Sequence, residues 1–254
     1  MSADSFSDGG KYLTRDAALS HVAKMIEAGA DIIDIGAEST RPEAKKLSAS
    51  EEMKLLIGQL EAVRAEFSDI PISVDTYKPA VASEAVKSGA DIINDVFAET
   101  DGDFYPMAAA AAELNCPLVI THNSRGAEIT GDFFGAFMKK IGVLTGLAQN
   151  GGLSKSQIVI DPGVGFGKTA DQNFEIMARL GELRKFGFPV LLGVSRKSSL
   201  ARIVGEDFPS RDSATITVSA LCAYNKWADI LRVHDVAGNV AAVKTAKEIL
   251  KWTK

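Results

Sequence analysis

The chain has 254 residues, of which 46% are hydrophobic and 24% are charged, and its formal net charge is −5. This length suits one barrel domain over residues 1–254 with a large apolar core. The acidic balance without a long basic run argues against a nucleic-acid partner. No apolar run approaches the roughly 18 residues that span a membrane, and residues 1–20 lack the basic start and apolar core of a signal peptide. The two cysteines, Cys116 and Cys222, form no metal-binding or redox motif, so we expect a cytoplasmic protein without a membrane partner.

Helices and short apolar strands alternate along the whole chain. Amphipathic patterns predict eight helices, over residues 14–29, 50–67, 79–89, 104–115, 132–150, 171–186, 212–227 and 238–252. Seven runs rich in Val, Ile and Leu predict strands buried on both faces, at 31–36, 71–76, 92–96, 117–122, 158–163, 189–194 and 230–236. Residues 213–221 are rich in β-branched side chains and could instead form an edge strand. A helix is favoured there because the segment continues without a turn into the residues that follow.

The alternation predicts either a closed barrel or a doubly wound sheet. Length and even spacing favour an α/β fold of the TIM-type (β/α)8 barrel class. The series opens on a helix, so we expect the barrel to lack its first strand in the given sequence, with a strand preceding residue 1. The expected consequence is a gap between the strands at 31–36 and 230–236.

Polar residues close almost every predicted strand. They are Asp34 and Glu38, Asp75, Asn94 and Asp95, His122 and Asn123, Asp161, residues 195–198, and Arg232, His234 and Asp235. The active site of an α/β barrel lies at the C-terminal ends of its strands. Each residue could instead be a strand-end cap, and for Asp34 and Asp95 we favour that interpretation. Burying several charges in one barrel mouth is costly without a function, so the whole set predicts a binding or catalytic site.

The stretch DPGVGFGKT at 161–169 fails two phosphate-binding motifs by one residue each. Pro162 stands where GxxxxGK[ST] needs glycine, and Lys168 stands where GxGxxG needs it. We expect the glycines to let the backbone pass close to a flat ligand beside Asp161, with Phe166 available to stack on it. Arg232 and His234 alternate onto one strand face, which predicts an anion clamp.

The sequence resembles the dihydropteroate synthase family of pterin-binding enzymes over essentially its whole length. The matching segments are SADSFSDGG (2–10), DIGAESTRP (34–42), SVDTYKP (73–79), INDV (93–96), DPGVGFGKT (161–169), GVSRKS (193–198) and RVHD (232–235). The resemblance implies a transferase of folate biosynthesis, which condenses (7,8-dihydropterin-6-yl)methyl diphosphate with 4-aminobenzoate to give 7,8-dihydropteroate and diphosphate. It also implies Mg²⁺ as cofactor, a homodimer formed through the later helices, and membership of a class that sulfonamides target.

The resemblance assigns roles to individual residues. The residues implied to bind the pterin are Asp75, Asn94, Asp161 and Lys197. The residues implied to be catalytic are Asp75, Asp161, Lys197 and Asp8. The residues implied to bind diphosphate are Arg232, His234 and Thr40, and those implied to bind aminobenzoate are Phe6, Arg41, Pro42, Phe166 and Ser198. The family's metal-contacting asparagine would precede Met1, which leaves no certain metal ligand and Asp8 as the candidate.

Two other functions stay open from the residues. A methyltetrahydrofolate-dependent methyltransferase shares the barrel and the pterin residues, but residues 4–10, 195–198 and 232–235 argue against it. A non-catalytic pterin-binding paralogue would account for the absent asparagine. Residues 97–106 and 121–126 also depart from the family pattern, so ligand contacts from these two loops are left open.

Overall fold

The computed structural model describes residues 15–39, 44, 46–126 and 131–253 of the chain. In this part, nine α-helices alternate with seven β-strands. None of these helices is long and apolar enough to cross a membrane. The chain divides into two compact units, of which unit 1 comprises Met1–Ile120 and Leu144–Ile158, and unit 2 comprises Thr121–Val143 and Val159–Lys254. The expectation of one domain stays a prediction.

Unit 1 contains a parallel sheet whose strands alternate with helices. Its elements are α1 (Arg15–Glu27), β1 (Ile33–Ile35), α2 (Ala49–Glu66), β2 (Ile72–Asp75), α3 (Pro79–Lys87), β3 (Ile92–Asp95), α4 (Pro106–Glu113) and β4 (Leu118–Thr121), whose last residue belongs to unit 2. β1 pairs with β2, β2 with β3 and β3 with β4, all in parallel. The strands are almost wholly buried, as their continuous apolar sequences predict for a parallel sheet covered by helices.

The apolar core of unit 1 comes from strands and helices together. Ile33, Ile72 and Ile93 on the strands and Leu56 and Leu60 on α2 are less than 2% exposed. Burying one such side chain stabilises the fold by about 1.5–3 kcal/mol. The core therefore fixes the strands whose ends carry the polar residues.

Unit 2 contains the remaining elements. They are α5 (Phe133–Asn150), which continues into unit 1 from Leu144, β5 (Ile158–Asp161), whose first residue belongs to unit 1, α6 (Ala170–Ala178), β6 (Leu191–Leu192), α7 (Ser198–Val204), α8 (Phe208–Asn225), β7 (Ile230–Leu231) and α9 (Val236–Leu250). β6 pairs with β7 in parallel, with Leu191 opposite Ile230. Ile160 forms a parallel bridge to Val190, which links β5 to the segment before β6.

The structure differs from the sequence prediction mainly in unit 2. The helix predicted over 171–186 is two elements, since α6 ends at Ala178 and a 3-10 helix covers Leu180–Phe186. The short helix α7 was not predicted as a separate element, whereas residues 213–221 are helical as predicted, within α8. The predicted strand at 230–236 is reduced to two residues, so Arg232 and His234 follow β7 and do not alternate along it.

Candidate active site

Asp75, the last residue of β2, lies beside Asn94, the penultimate residue of β3, in unit 1. They are register partners in the parallel sheet, so their side chains leave the same face. Both residues are buried, with 5% and 3% of their surfaces exposed. The Oδ1 atom of Asn94 has no hydrogen-bond partner among the described residues. A buried acceptor without a donor costs about 1–3 kcal/mol, so Asn94 is suited to a ligand that supplies one.

Asp95, the next residue along β3, serves the fold. Its Oδ1 accepts the backbone N–H groups of Phe97 and Ala98, both at 3.0 Å, and its Oδ2 accepts the Tyr105 hydroxyl at 2.8 Å. Burial raises the pKa of Asp95 to about 6, against the effect of these hydrogen bonds. Its predicted capping role is confirmed, because the carboxylate organises the loop that follows β3. Asp34 lies two residues deeper along the sheet, at the level of Ser73.

Glu38 belongs to a buried network of ion pairs. Its carboxylate accepts hydrogen bonds from the Lys78 Nζ at 2.6 Å, the Tyr77 hydroxyl at 2.9 Å and the Leu47 N–H at 3.0 Å. Lys78 also contacts the carboxylate of Glu52, whose side chain is fully buried. Burial opposes a charged Lys78, but the hydrogen bonds to both glutamates outweigh it and raise the pKa of the ammonium. The network ties the loop after β1 to α2 and to the segment after β2.

Asp161 ends β5 in unit 2, within reach of three cations. The carboxylate is 6% exposed, and its Oδ1 accepts the Gly163 N–H at 2.7 Å. Burial raises the pKa of Asp161, whereas the charges of Lys197, Arg232 and Lys168 oppose that rise. A buried carboxylate can bind a cationic or hydrogen-donating group of a ligand. The cations around it carry excess positive charge, which can attract an anion nearby.

The glycines at 163 and 167 serve loop packing. Gly163 has φ +65°, and a Cβ there would lie 2.0 Å from the carbonyl oxygen of His122. Gly167 has φ +69°, and its Cβ would lie 2.4 Å from the Arg125 nitrogen. At these two positions the glycines let the backbone approach residues 122–125. The expectation that the stretch passes close to a flat ligand stays a prediction.

The ring of Phe166 lies among cationic side chains. The Lys197 Nζ is 4.8 Å and the Arg125 guanidinium carbon 5.0 Å from its centroid. Lys197 also donates a hydrogen bond to the carbonyl of Val164. The structure thus brings Lys197 and Arg125, which lies in the loop after β4, to the ring of Phe166.

Ser195 holds His234 beyond the end of β7. The Ser195 Oγ accepts the His234 N–H at 3.1 Å and lies 2.8 Å from its Nδ1. Burial lowers the pKa of His234 to about 4, with further effects from the nearby Arg196 and Arg232. Arg196 is paired through two hydrogen bonds, at 2.8 and 2.7 Å, with Asp212. Arg232 and His234 are therefore neighbours, although they lie on a loop and not on a strand face.

The structure gives few or no contacts for the other predicted site residues. Ser198 is the exposed first residue of α7. Phe6, Asp8, Thr40, Arg41 and Pro42 lie outside the described residues. No individual role is predicted from the sequence for Lys168, Ser195 or Tyr105, although Lys168 is the penultimate residue of the glycine-rich stretch and Ser195 stands among the polar residues after β6.

A cavity of about 430 Å³ in unit 2 contains none of the predicted site residues. It is lined by residues from α5 and from the 3-10 helix, and by Asp132 and Arg179. Arg179 is already paired with Glu175 and Glu182 and lies over the Phe134 ring. The candidate site is therefore sought at the strand ends, where the predicted site residues lie.

Known proteins match this chain over nearly its full length. Residues 1–234 match the family described as pterin binding enzyme. A dihydropteroate synthase of Clostridium beijerinckii is 38% identical over 98% of this chain and 91% of its own length. One from Bacillus subtilis is 43% identical over 93% of this chain and 81% of its own length. The chain belongs to the dihydropteroate synthases of the pterin-binding enzyme family.

Solved structures of this family have the same fold. A Clostridium difficile dihydropteroate synthase, determined in the presence of pteroic acid, is 39% identical and has a TM-score of 0.89 over 98% of this chain and 93% of its own. A Xanthomonas albilineans dihydropteroate synthase with 4-aminobenzoic acid is 37% identical and has a TM-score of 0.88 over 99% of this chain and 90% of its own. The predicted fold class is confirmed as the TIM-type (β/α)8 barrel.

Proposed function

We propose that this family member is active as a dihydropteroate synthase, a transferase that joins (7,8-dihydropterin-6-yl)methyl diphosphate to 4-aminobenzoate. The C–O bond to diphosphate breaks with its electron pair on the leaving group, and the amine nitrogen forms the new C–N bond and loses a proton. The observation that carries the proposal is the buried Asp161 with Lys197, Arg232 and Lys168 around it. This cluster combines an acceptor for a pterin with a positive potential that would attract a diphosphate.

The pterin is proposed to bind Asp75, Asn94, Asp161 and Lys197. The edge of a pterin presents donors and acceptors in a fixed order, which carboxylates, an amide and an ammonium can match. The buried Asn94 Oδ1 without a described partner supports an acceptor role. We assign catalytic roles to Asp75, Asp161 and Lys197, and to Asp8, which lies outside the described residues.

The diphosphate is proposed to bind Arg232, His234 and Thr40. Arg232 supplies positive charge next to His234. Since burial keeps His234 neutral near pH 7, the imidazole would contribute an N–H donor and not a second charge. These donors would stabilise the negative charge that develops on the leaving group.

The aminobenzoate is proposed to bind Phe166 and Ser198, with Phe6, Arg41 and Pro42 from outside the described residues. The Phe166 ring is held beside Lys197 and is partly exposed, as a stacking surface must be. Ser198 is exposed at the start of α7, where its hydroxyl and backbone N–H can receive a carboxylate.

Mg²⁺ is proposed as the cofactor. The described residues contain no group of three His, Cys, Asp or Glu side chains placed to hold a metal. Magnesium is commonly bound through one or two protein oxygens and substrate phosphates, and a diphosphate substrate supplies the latter. Asp8 is the candidate protein ligand. When bound, the ion would neutralise charge on the diphosphate.

A homodimer, a cytoplasmic location and sulfonamide binding are further parts of the proposal. Leu221 and Tyr224 on α8 and Ile249 on α9 are exposed apolar side chains that a second copy could cover. Both cysteines are free and buried, which suits a reducing compartment. A Yersinia pestis member of the family was solved with a pterine-sulfa conjugate, which motivates a test of sulfonamides here. No nucleic-acid or membrane partner is proposed.

Turnover of the purified chain decides the proposal. We expect Mg²⁺-dependent formation of dihydropteroate from the two substrates, abolished by Asp161→Asn, with Asp171→Asn as the matched control because Asp171 is exposed. Pterin binding by a folded chain that forms no product would instead favour the non-catalytic paralogue. Methyl transfer from methyltetrahydrofolate that requires a cobalamin protein would favour the methyltransferase.

A further inference from the structure

Lys168 lies between two loops at the strand ends of unit 2. Its Nζ donates hydrogen bonds to the carbonyl oxygens of His122 at 2.8 Å, Gly163 at 2.8 Å and Phe166 at 3.2 Å. The first acceptor belongs to the segment after β4, and the other two belong to the loop after β5. A single side chain therefore ties the two loops together.

The protonated form of Lys168 matches this environment. An ammonium has three N–H donors and no acceptor, and here each donor meets one backbone carbonyl. A neutral amine has one donor fewer, so one carbonyl would lose its partner. The three hydrogen bonds therefore depend on the positive charge of the Lys168 ammonium as well as on the length and shape of the side chain.

Two of the three carbonyls belong to residues that position predicted site groups. The Gly163 N–H is bonded to the Asp161 carboxylate, while its carbonyl is bonded to Lys168. The Phe166 carbonyl accepts Lys168 and also the Ser124 N–H at 3.1 Å, while its ring lies beside Lys197. A movement of Lys168 would thus shift both the Asp161 carboxylate and the Phe166 ring.

We propose that Lys168 is a positioning residue for the synthase reaction: its ammonium sets the orientation of Asp161 and Phe166 by fixing the loop after β5 against residues 122–125. Lys168 touches neither substrate in this role. The inference rests on the proposed function of the site, because it predicts how that site uses a residue with no assigned role.

The charges that face Lys168 give the role a pH signature. Burial lowers the pKa of Lys168 to about 7, the Asp161 carboxylate opposes that shift, and Lys197 and Arg125 add to it. Neutral His122 packs against the Phe137 ring and adds no charge near pH 7. The two loops should therefore loosen as the pH rises above about 7.

Kinetics of Lys168→Met, Lys168→Gln and Lys168→Arg test the inference. We expect Lys168→Met to raise KM for one or both substrates by about tenfold to a hundredfold, because small misplacements of binding groups have effects of this size. Lys168→Gln, which keeps two donors, should have a smaller effect. Lys168→Arg keeps its charge at high pH, so a folded Lys168→Arg protein should lose less activity between pH 7 and 9 than the original chain. Lys155→Met, at an exposed lysine, is the matched control.

If Lys168 had a purely structural role, its substitutions would lower the free energy of unfolding and leave KM unchanged. Cooperative urea unfolding identifies which variants are folded at the assay temperature, and only folded variants are compared. If Lys168→Met does not fold, Lys168→Gln and Lys168→Arg carry the comparison. Folded variants with KM values and pH profiles within twofold of the original chain would overturn the inference. Absence of turnover by the original chain would instead overturn the proposed function.

Discussion

The hydroxyl oxygen of Ser195 lies 2.8 Å from the Nδ1 of His234 and accepts the backbone N–H of the same residue at 3.1 Å. Because the oxygen accepts that N–H, its own proton can be donated to Nδ1. When Ser195 donates to Nδ1, the imidazole proton of neutral His234 lies on Nε2. The opposite edge of the ring is then a hydrogen-bond donor, which is the form that a diphosphate oxygen can use.

Ser195→Ala should weaken binding of the diphosphate substrate. Loss of one hydrogen bond, worth about 0.5–1.5 kcal/mol, corresponds to a roughly twofold to tenfold rise in KM for dihydropterin diphosphate. Steady-state kinetics with each substrate varied in turn would measure the change. Ser213→Ala is the control, because the Ser213 hydroxyl donates to the Pro209 carbonyl at an exposed position of α8. An equal effect of the two substitutions would contradict the role given to Ser195.

The free energy of unfolding should fall as the pH falls from about 6.5 to about 4. Burial lowers the pKa of His234 from 6.5 to about 4, so in this window the unfolded chain binds a proton that the folded chain does not. His234→Asn should reduce the slope by up to about 1.4 kcal/mol per pH unit. Urea unfolding at several pH values measures it. The raised pKa of Asp95 acts in the opposite direction but equally in both proteins.

His21→Asn is the control for this pH experiment. The pKa of His21 is also lowered, and partial burial of its ring is the largest cause. As a residue, however, His21 is exposed on α1. His21→Asn should therefore change the pH dependence of the free energy of unfolding less than His234→Asn does. A slope unchanged by His234→Asn would show that His234 is not held in its neutral form by the fold.

The sequence predicted the strand ends well because a buried strand is recognised from its run of apolar residues and its end from the polar residue that follows. Asp75, Asn94 and Asp161 each follow an apolar run, and each is found buried in one of the last two positions of its strand. Loop contacts were harder to predict. Lys168 bonds to backbone carbonyls, which every residue has, so nothing in the sequence of residues 122–166 marks its partners.

The glycines of the stretch 161–169 show the same limit. The sequence indicated a close approach of backbone, and the structure shows that at Gly163 the approaching group is the His122 carbonyl. A glycine pattern encodes the absence of a side chain but not the identity of the neighbour. Likewise, Arg232 and His234 were predicted as a pair on a strand, and they are a pair because Ser195 holds the loop after β7.

Gly163→Ala should destabilise the fold far more than Gly187→Ala. Both glycines have positive φ, +65° and +74°, so both substitutions strain the backbone by roughly 1–2 kcal/mol. Only at position 163 would the new Cβ also overlap a carbonyl oxygen, at 2.0 Å, whereas nothing lies within 4 Å at position 187. We expect an additional loss of about 2 kcal/mol or more for Gly163→Ala in urea unfolding. Equal losses would mean that the two loops can separate without cost.

Asn94 and Asp95 are adjacent on β3 and should respond in opposite ways. Asn94→Ala removes a buried acceptor that has no described partner, so the free energy of unfolding should change little. Pterin affinity should fall about tenfold or more, since the amide is proposed to hydrogen-bond the pterin. Asp95→Asn weakens bonds to Ala98 and Tyr105, so it should cost about 1–3 kcal/mol of stability with little change in pterin affinity. Calorimetric titration with a pterin and urea unfolding measure both quantities in both variants, and an Asn94→Ala protein that loses stability but keeps pterin affinity would place Asn94 in the scaffold and not in the site.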